Sequence, residues 1–195
     1  MGKVKSAFEK AMEKAAAIGE LTQEERERFR DEEKLRSLTA EFYKGRLDRD
    51  GLWQKLKGSA PSLLKEAQLT FIDSIGIGIS PDEFQRRKDA VLAVETLKTR
   101  QNTSAIENVL DSLKVLQNDY REGKERAARE LRAVIESNPQ SRMQHVRAPD
   151  GRIVQAALSV DEAVQIRLAE FLAEHEERYG VKFAGLLEKL KREIK

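Results

Sequence analysis

Apolar side chains recur every three or four residues over most of the chain, and this spacing predicts α-helices. Several of the predicted helices begin at a shared local pattern, in which an apolar residue precedes Ser, Thr or Asp and a carboxylate or glycine follows three positions later. Such a pattern caps the free N–H groups of a first helical turn. It places helix starts at Thr22, Asp48, Ser80 and Ser159. The predicted helices cover about residues 3–18, 23–44, 49–57, 62–75, 81–100, 104–137 and 159–194.

The longest uninterrupted pattern lies between Pro81 and Pro139, where Gly123 is the one glycine. In its second half an apolar series repeats every seven residues, as in a coiled coil. The companion series shifts by one position near Gly123, which indicates a stutter or a change of partner. We therefore predict an antiparallel helical hairpin over 81–137, with its second helix extending beyond the first. The series consists of Ile106, Leu113, Tyr120, Ala127 and Val134.

One β-hairpin is predicted between the long helices. Two β-capable runs, 142–147 and 152–157, flank Pro149-Asp150-Gly151. Proline presets φ for a turn, and glycine can adopt the positive φ that such a turn requires. Because an isolated two-stranded hairpin is marginal in water, it must pack on the helices or pair with another chain.

The last helix carries an apolar series that stays in register from Val160 to Ile194 and across Gly180. This predicts one continuous helix, the alternative being a stop at the glycine. The predicted fold class is predominantly all-α: a helical bundle with a long antiparallel helical hairpin, one small β-hairpin at 142–158 and a long C-terminal helix. We predict an N-terminal helical arm over 1–58 and a bundle core over 59–195.

Composition supports helices and limits the classes of function. Ala, Glu, Leu, Lys and Arg make up 102 of the 195 residues, which is typical of long helices. Lys and Arg number 36 against 34 Asp and Glu, so contact with nucleic acid requires a local basic patch. The lack of cysteine excludes disulfides and thiolate sites. No apolar run approaches the roughly 20 residues of a membrane span, and we expect a cytoplasmic protein.

No catalytic or metal-binding motif is apparent. The two histidines, His145 and His175, lie thirty residues apart and outside any metal-ligand spacing. Gly76-Ile77-Gly78 lacks the lysine and hydroxyl residue of a phosphate-binding loop, and Gly-x-Ser-x-Gly does not occur. His175 lies on the apolar series of the last helix, where we expect it to donate to a neighbouring carboxylate. We expect no enzyme activity, no cofactor and no metal.

The leading functional hypothesis is a structural or adaptor protein that binds other proteins and self-associates, most simply as a homodimer. The seven-residue series and a β-hairpin without a third strand motivate it, since both present apolar surface that a partner can cover. The candidate contact residues are Ile106, Leu113, Tyr120, Val134, Val146 and Ile153.

The alternative hypothesis is association with nucleic acid through the basic β-hairpin. Arg142, His145, Arg147 and Arg152 are placed to contact phosphates, as a basic two-stranded ribbon can do. The competing interpretation is that these residues keep a protein-packing ribbon from aggregating at its edges. We favour this second interpretation, because the basic residues of the ribbon are not interleaved with aromatic residues on which bases could stack.

Overall fold

The computed structural model describes residues 22–147 and 151–194. The helix predicted over about 3–18 lies outside them. The described residues form two compact units, 22–48 and 49–194. In the first unit, helix α1 (Gln23–Tyr43) begins at a capping box made by Thr22 and Glu25, and its buried apolar residues are Leu35, Leu38 and Phe42.

The second unit contains five helices and a small antiparallel sheet among its described residues, which confirms the predicted fold class. Along the chain, the two β-strands lie between the two longest helices. The elements are α2 (Arg49–Leu56), α3 (Pro61–Asp73), α4 (Pro81–Glu95), α5 (Thr103–Ser137), a 3₁₀ turn (Pro139–Arg142), β1 (Met143–Arg147), β2 (Ile153–Ala157) and α6 (Val160–Glu193).

The predicted helix starts are confirmed. In each of the capping boxes at Thr22, Ser80 and Ser159, the hydroxyl accepts a backbone N–H and the following glutamate accepts in return. At α6 the Ser159 N–H donates to the Glu162 carboxylate over 2.9 Å. The helix then continues through Gly180 to Glu193, as its apolar series predicts.

The core of the second unit lies where α2 and α3 pack on α4, and where α4 packs on the first turns of α5. Phe71, Phe84 and Leu110 are fully buried there. The C-terminal end of α6 joins this core, where Lys191 forms a 2.8 Å ion pair with Asp73 of α3.

A buried carboxylate ends α4 earlier than the sequence predicts. Glu95 accepts hydrogen bonds from the Asn102 backbone N–H over 2.5 Å and from the Gln68 side chain over 2.9 Å, and it forms an ion pair with Lys98. Because a buried charge needs partners on several sides, the chain turns back after Glu95 rather than near residue 100. Helix α5 then begins at Thr103, directly after Asn102.

Helices α5 and α6 form the most extensive helix pair of the second unit, and they run antiparallel. The Asn102 amide donates to Glu193 at one end, Tyr120 donates to Glu176 midway, and Arg132 pairs with Asp161 at the other end. The sequence predicts α4 as the hairpin partner of α5. In the structure α4 covers only the first turns of α5, and α6 follows it along its length.

The β-ribbon joins α5 to α6. Its strands are antiparallel, with Met143 opposite Ala157 and Arg147 opposite Ile153. Gly151 in the turn has a φ of 87°, the conformation expected from its position there. At the base of the ribbon a small apolar cluster connects the two helices. The cluster contains Ile135, Ala163 and Val164, with Leu158 and Val160 packed against it.

Candidate contact surface on the helical hairpin

The middle of the α5–α6 pair is an aromatic cluster built around His175. The imidazole of His175 is 2 % exposed. It stacks on Tyr120 and Phe171 with ring centroids 5.1 Å apart, and it lies 4.5 Å from Tyr179. Burial, followed by the hydrogen bond to the Glu176 carboxylate, raises the pKa of the Tyr120 phenol. This cluster fixes the two helices at one level.

The hydrogen bonds of His175 define its tautomer. Nδ1 lies 3.2 Å from the Arg178 guanidinium, which can only donate, so Nδ1 accepts. Nε2 lies 3.1 Å from the carbonyl of Tyr120 and therefore carries the proton. The expected hydrogen bond to a carboxylate is not formed. His175 thus has a structural role between the helices.

The predicted contact residues separate into buried and exposed positions. Ile106 and Leu113 are fully buried and Tyr120 is nearly so, all within a single chain. Their side chains fill the core of that chain, so a partner cannot reach them while the helices stay packed. Val146 pairs with Val154 in the register of the ribbon. Ile153, at the start of β2, is 72 % exposed.

Val134 does not share the burial of the earlier residues of its series. It is 58 % exposed, and the neighbouring Ile135 is buried in its place. An α-helix has 3.6 residues per turn rather than 3.5, so a strict seven-residue repeat rotates by about 20° with each heptad. At Val134, the fifth residue of the series, the accumulated rotation has turned the side chain away from the core, and Ile135 points inward instead. The rotation leaves Val134 available for contact.

Large apolar side chains that are exposed within the described part of residues 49–194 are confined to α5, α6 and the ribbon. Helices α2, α3 and α4 contribute none there. Single exposed apolar residues are common on protein surfaces, whereas a concentration on one pair of elements indicates an interaction surface. The large exposed residues are Val115, Val134, Met143, Ile153, Ile166, Phe171 and Val181.

A shallow groove of about 400 Å³ runs between α5 and α6 on one side of the pair. Val134 lies eighteen residues after Leu116, which is five helical turns, so it faces the same side. Phe171 lies eleven residues before Lys182, about three turns, and does the same on α6. We call this side of the helix pair, including Val134 and Phe171, the groove face. The groove itself is lined by Ser112, Val115, Leu116, Asp119, Lys182, Gly185 and Leu186.

The groove itself is mostly apolar, but its lining includes one charge of each sign, Asp119 and Lys182. Neither forms an ion pair with another residue in the described ranges, although Lys182 lies 5.8 Å from the Tyr179 ring. The periodic patterns of the sequence do not reveal this surface. Val115 and Val181, which are apolar but lie off the buried series, are the sequence signal that could have revealed it.

The four nucleic-acid candidates lie on the ribbon or directly beside it. Arg142 is half-buried, and its Nε is buried without a hydrogen-bond partner. His145 is exposed and lies 3.4 Å from the side chain of Gln155 on the opposite strand. Arg152 is exposed, and Arg147 lies opposite Ile153 in the register.

Among residues 22–147 and 151–194, no three His, Asp or Glu side chains gather in a way that could hold a metal ion. No helix in those ranges combines the length and the apolar character needed to cross a membrane.

Comparison with known proteins identifies a family but no activity. Neither the curated proteins nor the solved structures include a match to the chain. A family model matches residues 51–195, which is more than half of the chain and spans all of α3 to α6 and the ribbon. The chain therefore belongs to the family of unknown function DUF6657.

Proposed function

We propose that this protein is a structural or adaptor protein without catalytic activity, and that it self-associates through the groove face. The observation that carries the proposal is the confinement of large exposed apolar side chains, in the described part of residues 49–194, to the α5–α6 pair and its ribbon. A second copy of the chain is the simplest partner for such a surface, because most homo-oligomers are dimers with two-fold symmetry.

Burial along α5 supports this proposal. Ile106, Leu110 and Leu113 lie beside α4 and have no exposed surface. Leu131 and Leu168, nearer the ribbon, remain half-buried. Two helices alone can cover only the sides that they turn towards each other, so a further layer is needed to bury the rest. The groove face offers that layer a place to pack.

Val134→Glu tests the proposal. A two-fold dimer contains each residue twice, so losing about 1.5 kcal/mol of apolar burial at each copy weakens the dimer about a hundredfold. Ile166→Glu is the matched control, since Ile166 is also exposed but lies about 160° around α6 from Lys182. Sedimentation velocity of the full chain is the measurement, with helical circular dichroism to verify folding.

The expected outcome is that the wild type and Ile166→Glu sediment as dimers while Val134→Glu sediments as a folded monomer. Equal dimerisation of the two variants would show that the groove face is not the interface. A wild-type monomer at every micromolar concentration would refute self-association. A shift of any of these proteins on adding short duplex DNA or RNA would instead favour contact with nucleic acid through the ribbon.

A further inference from the structure

The outer edge of β2 is an open strand edge. We infer that β2 of one copy pairs antiparallel with β2 of a second copy, which joins the two ribbons into one four-stranded sheet. The inference rests on the proposed self-association, because the partner is a second copy of the chain, but it uses a surface outside the groove face.

The ribbon is exposed on both of its faces. Successive residues of a strand point to opposite sides, and Met143, Gln144 and His145 of β1 are all exposed. On β2, Ile153 is 72 % exposed and Gln155 is exposed as well. An isolated two-stranded hairpin is marginal in water, and further strands stabilise it. The described helices of the unit do not cover the ribbon, so additional strands have to come from another chain.

The hydrogen bonding of the ribbon shows which backbone groups of β2 point outward. In an antiparallel pair, opposite residues that exchange backbone hydrogen bonds alternate with opposite residues that do not. The Leu158 N–H donates to the Arg142 carbonyl over 2.9 Å, so these two residues belong to the hydrogen-bonded set. In the register of the ribbon, every second residue of β2 therefore turns its N–H and C=O groups away from β1. These outward residues are Ile153, Gln155 and Ala157.

The edge of β2 is better suited to pairing than the edge of β1. The backbone groups of the three outward residues of β2 have no hydrogen-bond partner among the described residues. On β1, the N–H of Met143 already donates to the Gln140 carbonyl. β1 also contains Arg147, and charged residues are one means by which proteins prevent pairing at a strand edge. The five residues of β2 include no charged residue, proline or glycine, so this edge lacks such protection.

A second copy fits the β2 edge because the strand is complementary to itself. A two-fold axis at Gln155 places Gln155 opposite Gln155 of the partner subunit, and Ile153 opposite Ala157 of the partner subunit. All the outward residues then lie in hydrogen-bonded pairs, which gives about six backbone hydrogen bonds between the copies. The large Ile153 is matched with a small alanine. The same operation on β1 would place two histidines opposite each other and would need the Met143 N–H, which is already bonded.

Proline at position 155 tests the pairing. Because the N–H of Gln155 points outward, Gln155→Pro removes hydrogen bonds between the copies and leaves the β1–β2 ladder intact. Each copy loses one donor, so the dimer Kd is expected to rise at least about tenfold. His145→Pro is the matched control, because His145 lies directly opposite Gln155 and its N–H points to the other edge. It is expected to leave the Kd unchanged. Sedimentation equilibrium of the full chain is the measurement, with circular dichroism to verify folding.

A cross-linking experiment tests the register. The chain contains no cysteine, so Gln155→Cys introduces a single thiol. In the paired sheet the two Cα atoms at position 155 are about 5.5 Å apart, within the range of a disulfide, and mild oxidation is expected to give a covalent dimer. His145→Cys is the control, because three strand spacings, about 14 Å, separate the two copies of that position. Equal cross-linking of the two variants would overturn the β2 pairing.

The outcomes separate this inference from the proposed function. A wild-type dimer whose Kd is unchanged by Gln155→Pro refutes the β2 pairing and leaves the groove face as the interface. Weakening by Gln155→Pro but not by Val134→Glu supports the β2 pairing and refutes the groove face. Equal weakening by Gln155→Pro and His145→Pro also refutes the pairing. A wild-type monomer refutes both proposals and leaves the β2 edge to a strand of a different protein.

Discussion

Gly123 and His175 show how one residue sets the distance between α5 and α6. A Cβ atom added at Gly123 would lie 2.7 Å from Cε1 and 3.2 Å from Nε2 of His175. The imidazole cannot easily move away, because it is stacked between Tyr120 and Phe171 and hydrogen-bonded through both nitrogens. The glycine therefore allows a close approach that no other residue permits.

Gly123→Ala is expected to destabilise the protein despite the higher helix propensity of alanine. The propensity gain is about 1 kcal/mol, and forcing a methyl group into a packed site costs about 1–3 kcal/mol. Gly180→Ala is the matched control, since a Cβ there meets no atom within 4 Å, and it is expected to raise stability by up to about 1 kcal/mol. Urea denaturation followed by circular dichroism measures both variants. A stabilised Gly123→Ala would show that the His175 ring is not held in place.

The helical elements are largely predictable from the sequence because their starting signals are local. Ser80 and Ser159 lie three residues from the glutamates that they cap, and the structure forms both boxes. The end of α4 is not predictable in this way. It depends on Glu95 reaching Gln68, twenty-seven residues earlier, and the Asn102 backbone, seven residues later. The inward position of Ile135 depends on helix rotation accumulated over several turns.

The capping boxes at α4 and α6 make helix stability depend on pH. Hydrogen bonds from Ser159 lower the pKa of Glu162, and those from Ser80 lower the pKa of Glu83. A carboxylate with a lowered folded pKa stabilises the folded state above its ordinary value of 4.5. That contribution is lost as the pH falls through the folded value.

Glu83→Gln/Glu162→Gln is expected to reduce the loss of thermal stability between pH 6 and about pH 3. The neutral amides cannot gain a proton, so the part of the pH dependence that comes from these boxes disappears. Glu174→Gln/Glu177→Gln on the exposed side of α6 is the control with the same change in charge. The melting temperature followed by circular dichroism provides the comparison. Identical pH profiles for the two double variants would contradict the assigned role of the boxes.

In the second unit, other helices of the unit cover one stretch of the α5–α6 pair and leave the other stretch uncovered. Helices α2, α3 and α4 cover the start of α5, while the stretch towards the ribbon has half-buried Leu131 and Leu168 beside exposed Val134 and Phe171. Sequence periodicity predicts that these helices need a partner, but it does not identify the partner. The pairing of α5 with α6 brings together Asp119 and Lys182, sixty-three residues apart, and no local pattern links them.

The proposed self-association requires a second copy of the chain on the groove face. The most direct measurement is the weight-average mass of the unmodified protein in a dilution series, by light scattering or sedimentation equilibrium. We expect twice the chain mass at high micromolar concentration, falling to the single-chain mass on dilution. A single-chain mass throughout the series would contradict the account.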